Sequence, residues 1–139
     1  MKLYSEEILR RSRQSFPIGS IDVIEHEYKA SNPICGDSVQ WKLKTDQNRL
    51  MQFSVQARGC ALCKASASLL SEKLLQCSID DIVQRIRFFE SDVEGMEKGM
   101  LSQSEAMIFE GLKMAPARKD CVLLAWRSLY YLLINIEAK

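Results

Sequence analysis

The sequence predicts an α+β fold in which an N-terminal helix precedes a three-stranded antiparallel sheet and the remaining helices pack on one face of that sheet. Three features point there. Two neighbouring segments alternate apolar and polar residues with period two, the period lengthens to that of a helix after Cys60, and the C-terminal segment carries a long apolar helical stripe. The 139 residues read as a single domain, 1–139, without internal repeats or low-complexity segments.

Residues 5–14 form the first predicted helix, with Ser5 as N-cap and Glu6 and Glu7 where carboxylates offset the positive end of the helix dipole. Its Arg10-Arg11-Ser12-Arg13 cluster reads as a solvated face. Phe16-Pro17-Ile18-Gly19-Ser20 breaks this helix, and 21–29 is the weakest strand. In the next two strands Val39, Trp41, Leu43 and Thr45 alternate with polar residues, as do Met51, Phe53, Val55 and Ala57. Asp46-Gln47-Asn48 supplies the turn of the hairpin.

A helix then runs from Cys60 to about Leu75, with Ala65-Ser66-Ala67-Ser68 keeping one stretch slim enough for close packing. A second covers 79–90, capped by Ser78 and opened by Asp80 and Asp81. Gly95 and Gly99 bracket a loop, and a third helix spans 102–113. Pro116 opens the last helix, whose buried stripe is Val122, Ala125, Trp126, Leu129, Leu132, Leu133 and Ile136.

Composition narrows the function. A net charge of +1, with 27% charged residues, provides no basic tract, so no nucleic-acid partner is expected. The N-terminus lacks the apolar core of a signal peptide, and Arg127 interrupts the strongest apolar run, 122–134. A cytoplasmic protein without a membrane partner is the expectation. Five cysteines, an odd number, argue against a disulfide framework and for a metal site or reactive thiols, some of them serving as small buried hydrophobes.

The informative segment is Asn32-Pro33-Ile34-Cys35-Gly36-Asp37. Pro33 fixes one backbone angle and Gly36 permits one closed to other residues, so the loop can turn sharply and aim Cys35 and Asp37 at one point. The hairpin returns the chain to the same end of the sheet at Gly59-Cys60, where a helix start favours a thiolate. Cys121 lies about one turn into the final helix, at the edge of its buried stripe.

These three motifs, in the order Asn32–Asp37, Gly59-Cys60 with Ala65-Ser66-Ala67-Ser68-Leu69-Leu70-Ser71-Glu72, and Ala117-Arg118-Lys119-Asp120-Cys121, resemble the three-cysteine U-type iron–sulfur cluster assembly family (IscU, SufU and the N-terminal domain of NifU). The resemblance covers nearly the whole chain. It implies that Cys35, Asp37, Cys60 and Cys121 surround a zinc ion or a nascent iron–sulfur cluster, a donor set suited to either. The scaffold branch usually carries a histidine before the third cysteine, within a Leu-Pro-Pro-Val-Lys stretch. Here Asp120 replaces the histidine and most of that stretch is absent. Those departures, the long insert around 90–110 and Arg118 resemble the SufU branch.

The SufU resemblance implies a zinc-dependent sulfurtransferase that takes persulfide sulfur from a SufS-like cysteine desulfurase and feeds downstream SUF assembly machinery. Cys35, on a glycine-containing loop, would be the acceptor, and Arg118 would offset negative charge at the site or contact the desulfurase. The alternatives are an IscU-type scaffold for a [2Fe-2S] cluster and a structural zinc module. Cys63, one turn after Cys60, is weighed against a packing role, and Cys77 reads as a packed or exposed thiol. His26 reads as a strand residue and Asp120 as a solvated one.

Overall fold

The computed structural model describes residues 3–13, 18–97 and 104–137. Helix α1 covers Glu6–Ser12, and the sheet comprises β1 (His26–Asn32), β2 (Asp37–Asp46) and β3 (Arg49–Arg58). Helices α2 (Ala61–Ser71) and α3 (Ile79–Glu97) follow. Two 3-10 segments, Glu105–Met114 and Pro116–Arg118, then lead into α4 (Lys119–Glu137). The sheet is antiparallel in the order β1-β2-β3, so the predicted α+β architecture holds.

The hairpin turn follows from Gln47 and Asn48, both at positive φ (51° and 64°). That conformation twists a two-residue loop in the same sense as its strands. Along β2, Asp37, Val39, Trp41 and Leu43 point into the core while Ser38, Gln40, Lys42 and Lys44 stay partly exposed. One face is therefore covered. The Trp41 indole reaches through the core to donate to Ala125 O (3.2 Å) and Ser128 Oγ (3.1 Å) of α4. The slim α2 face lets Ser66 donate to Val122 O and accept from Trp126 Nε1 at 2.8 Å. Trp126 in turn stacks on Phe89 of α3, ring centres 3.6 Å apart.

Several boundaries move. The first predicted strand, 21–29, shifts to His26–Asn32, and Ile18 forms only an isolated bridge to Val55. Helix α2 stops at Ser71 rather than Leu75, because Glu72 is extended and Lys73 turns into the left-handed region. Arg85 secures that end by donating to Leu69 O, Leu70 O and Glu72 O. Helix α3 runs through Gly95 to Glu97. Val93 and Met96 continue its buried face, which outweighs the ~1 kcal/mol cost of an internal glycine. The helix predicted at 102–113 is a kinked 3-10 segment, bent at Phe109 and stopped at the non-helical Ala115 before Pro116. Gln14, Phe16, Pro17, Gly99 and the start of that prediction lie outside the described residues.

The solvated reading of the basic cluster fails for Arg11. Arg11 is 9% exposed, and its guanidinium bridges Glu7 (2.7 Å) and Glu72 (2.6 Å), tying α1 to the end of α2. Among the described residues, no helix is long and apolar enough to cross a membrane.

Candidate metal centre

Strand pairing builds the site. Asn32 is in register with Asp37, and Ser38 with Arg58, so the end of β1, the start of β2 and the end of β3 meet at one edge of the sheet. The tight 33–36 loop hangs from that edge. Gly36 N donates to Asn32 O (2.9 Å), Ile34 N donates to Asn32 Oδ1 (3.1 Å), and Gly36 takes φ +73°. Cys35 is thereby turned back toward the sheet while Ile34, 95% exposed, points to solvent.

Asp37 occupies the centre. Its side chain is wholly buried, and Oδ1 accepts the Cys60 backbone N–H at 2.9 Å. Oδ2 lies 3.0 Å from Cys35 Sγ and 3.6 Å from Cys60 Sγ. Cys60 is the N-cap of α2 and offers no side-chain cap of its own, which leaves its thiol free for the site. Cys121, in the first turn of α4, brings its Sγ to 3.4 Å from that of Cys35. One ligand atom from each of Cys35, Asp37 and Cys121 lies within 4.8 Å of the others. Cys60 stands at the margin of that mutual cluster, touching it through Asp37.

A buried carboxylate surrounded by thiols has no cation to balance it; among the described residues no lysine, arginine or histidine pairs with Asp37. Such a charge is costly to bury unless it is paired or coordinates a metal. Neighbouring ligand atoms in a tetrahedral shell with sulfur at about 2.3 Å and oxygen at about 2.0–2.2 Å stand about 3.5–3.8 Å apart. The observed 3.0, 3.4 and 3.6 Å lie near that spacing, so the donor set fits a divalent ion. Burial, followed by hydrogen bonding with Asp37 and Cys35, pushes the Cys121 thiol above its ordinary pKa.

The centre opens to solvent through a cavity of about 470 Å³ lined by Asn32, Ile34, Cys35, Ala117, Arg118, Asp120 and Cys121. Arg118 closes the segment before α4, and its hydrogen bond to Cys121 holds the guanidinium above its ordinary pKa.

The sequence matches the family of NifU-like N-terminal domains from residue 3 to residue 138. The chain belongs to that family. As a NifU-like domain it is 30% identical over 129 residues to the iron–sulfur cluster assembly scaffold protein IscU of Thermotoga maritima, covering 91% of this chain and 89% of the relative. It is 25% identical over 100 residues to the zinc-dependent sulfurtransferase SufU of Bacillus subtilis, covering 71% of this chain and 68% of the relative. The crystal structure of a NifU-like N-terminal protein from Brucella abortus superposes with a TM-score of 0.81 over 99% of this chain and 96% of that one, at 20% identity. That likeness establishes the fold.

Within this NifU-like domain the other candidates separate. Cys63 is wholly buried in the core, and desolvation, reinforced by the charge of Asp37, pushes its thiol pKa up. It packs beneath the centre. Cys77 donates to Lys73 O at the exit of α2. His26 begins β1, opposite Leu43 and at the far end of the strand from Cys35. Asp120 is exposed and held by Arg127 at 3.2 Å, although it lines the cavity. Two residues gain roles that the sequence reading did not give them. Asn32 organises the loop through both its carbonyl and its side chain, and an Asn-Pro pair was the available signal. Gly59 packs directly on Asp37, a contact with no local signature.

Proposed function

We propose that this domain serves iron–sulfur cluster biogenesis in the cytoplasm as a zinc-dependent sulfurtransferase of the SufU kind, accepting persulfide sulfur from a cysteine desulfurase. The observation that carries this reading is the convergence of Cys35, Cys60 and Cys121 on a buried Asp37 with which no lysine, arginine or histidine pairs among the described residues. Cys35, Asp37, Cys60 and Cys121 would hold the zinc, which when bound keeps the thiols deprotonated and shielded from oxidation.

The chain's own residues support a division of labour. Cys60 and Cys121 sit in the first turns of helices anchored in the core, whereas Cys35 rides on a loop at the cavity mouth. Cys35 is the thiol that can move. As thiolate, its Sγ attacks the terminal sulfur of the donor persulfide; a new S–S bond forms on Cys35, the donor S–S bond breaks, and its electron pair leaves on the donor cysteine as thiolate. No external oxidant or reductant is needed. Arg118, at the same cavity, offsets negative charge there and presents a cation to the incoming partner.

The test is to mix the purified domain with a cysteine desulfurase and cysteine and map the added sulfur. Persulfide on Cys35, lost in Cys35→Ser, is expected, and Arg118→Ala should lower turnover while leaving zinc content unchanged. Sulfur mapped to Cys121 instead would sink the assignment of Cys35. The scaffold reading, assembly and release of a [2Fe-2S] cluster on the same ligands, is favoured by the IscU relative from Thermotoga maritima, whose match covers more of the chain than the SufU match.

A further inference from the structure

The uncovered face of the sheet carries a second constellation, back to back with the thiol centre. Side chains alternate along β2, so Asp37 points into the core while its neighbour Ser38 points outward. In register across the three strands, Lys29, Gln40 and Gln56 form one row. Ser38 and Arg58 are partners in the next. Lys29, Ser38, Gln40, Gln56 and Arg58 together line a polar recess of about 130 Å³.

The chemistry of this lining is one-sided. Two cations, two amides and a hydroxyl all provide hydrogen-bond donors, and the recess has no carboxylate in its wall. The nearest carboxylate on that face of β1, Glu27, stands one row away opposite Lys42. Neither Lys29 nor Arg58 takes part in an ion pair among the described residues, whereas Arg10, Arg11, Arg85, Lys119 and Arg127 all do. On a chain whose net charge is only +1, two uncommitted cations converging on one donor-lined recess form a local concentration of positive charge. Strands lie about 4.8 Å apart, close enough for side chains from β1 and β3 to reach a single small group above β2.

We propose that this recess binds a small tetrahedral oxyanion of the phosphate class. Arg58 and Lys29 supply the charge, the planar guanidinium offering two parallel donors to one anion, and the Gln40 and Gln56 amides and the Ser38 hydroxyl take the remaining oxygens. Near neutral pH such an anion carries between about one and two negative charges, which matches the two cations. The site needs neither the metal nor a partner protein, and its test is independent of sulfur transfer.

The full chain, labelled with nitrogen-15, is titrated with sodium phosphate and separately with sodium chloride at matched ionic strength, following the side-chain amides of Gln40 and Gln56. Saturable shifts with phosphate but not chloride are expected. The Lys29→Gln/Arg58→Gln double variant should weaken the apparent affinity by roughly tenfold or more. Lys44→Gln, on the same face but outside the recess, should change it by less than about twofold. Acetate at equal ionic strength should bind more weakly, because one carboxylate cannot engage both cations and the amides. Linear shifts, an equal response to chloride, or an unaltered titration in the double variant would each overturn the site. Zinc content should be the same in all these proteins.

Discussion

Gly59 and Asp37 are in direct contact: a Cβ on Gly59 would fall 2.0 Å from Oδ1 of Asp37 and 2.8 Å from its Cα. The glycine also sits at φ +128°, a conformation that side chains strongly disfavour. Asp37 can approach the Cys60 N–H only because nothing occupies that space. Gly59→Ala should therefore do two things at once. It should cost on the order of 1–3 kcal/mol of stability from backbone strain, and it should displace Asp37, lowering zinc content. Urea unfolding and metal analysis of the purified variant measure the two effects, and unchanged values for both would show that the loop relaxes freely.

The purified protein should carry about one zinc per chain if three thiolates and a carboxylate complete one tetrahedral shell. Cys35→Ala, Cys60→Ala or Cys121→Ala should each reduce that occupancy, and Cys77→Ala should not, since the Cys77 thiol donates to Lys73 O at the exit of α2. Stripping the metal should lower the unfolding midpoint, because metal binding by the folded site adds to folding stability. Mass spectrometry under native conditions reads the occupancy. Full zinc in Cys60→Ala would remove that residue from the shell.

Asp37→Ala separates sulfur transfer from scaffolding. The substitution deletes the oxygen ligand and leaves the Cys60 N–H without its 2.9 Å acceptor, so zinc affinity and sulfur acceptance should fall together. On a scaffold, losing the most exchangeable ligand should instead prolong a bound cluster. Anaerobic reconstitution with iron and sulfide, followed by visible absorption, compares the two proteins. We expect no stable cluster in either, and one that lasts longer in the variant would favour the scaffold.

Acid sensitivity should trace to α1. Hydrogen bonds from Arg10 and Arg11 hold the Glu7 carboxyl below its ordinary pKa of 4.5. A depressed folded pKa means that this stabilisation is present above the unfolded value and is lost as pH falls through the folded one, so the window lies below about pH 4.5. Partial exposure of Glu7 keeps the contribution modest. Arg11→Gln should lower stability near neutrality by about 1–3 kcal/mol, because Glu7 and Glu72 lose their shared partner. It should also flatten the acid limb of a urea-midpoint profile. A limb of undiminished slope would assign the acid sensitivity to other carboxylates.

By itself the sequence determined whatever depends on near neighbours. Alternation in 39–45 and 51–57 specified the hairpin, because one face of a strand repeats every second residue and a register slip would bury Gln40 and Lys42 in place of Trp41. Asn32-Pro33-Ile34-Cys35-Gly36-Asp37 specified a sharp loop, and the resemblance carried by three spaced motifs named the four residues around one site. Only the tertiary structure decided the rest. It extended α3 through Gly95, since burial of Val93 and Met96 outweighs a local propensity. It took Arg11 out of solvent because Glu72, sixty-one residues away, lies where α1 meets the end of α2. It also brought Cys121 within 3.4 Å of Cys35 across eighty-six residues, through α4 packing on the sheet. Propensity and periodicity are short-range properties, while burial and pairing are set by whichever distant segment fills the space beside a residue.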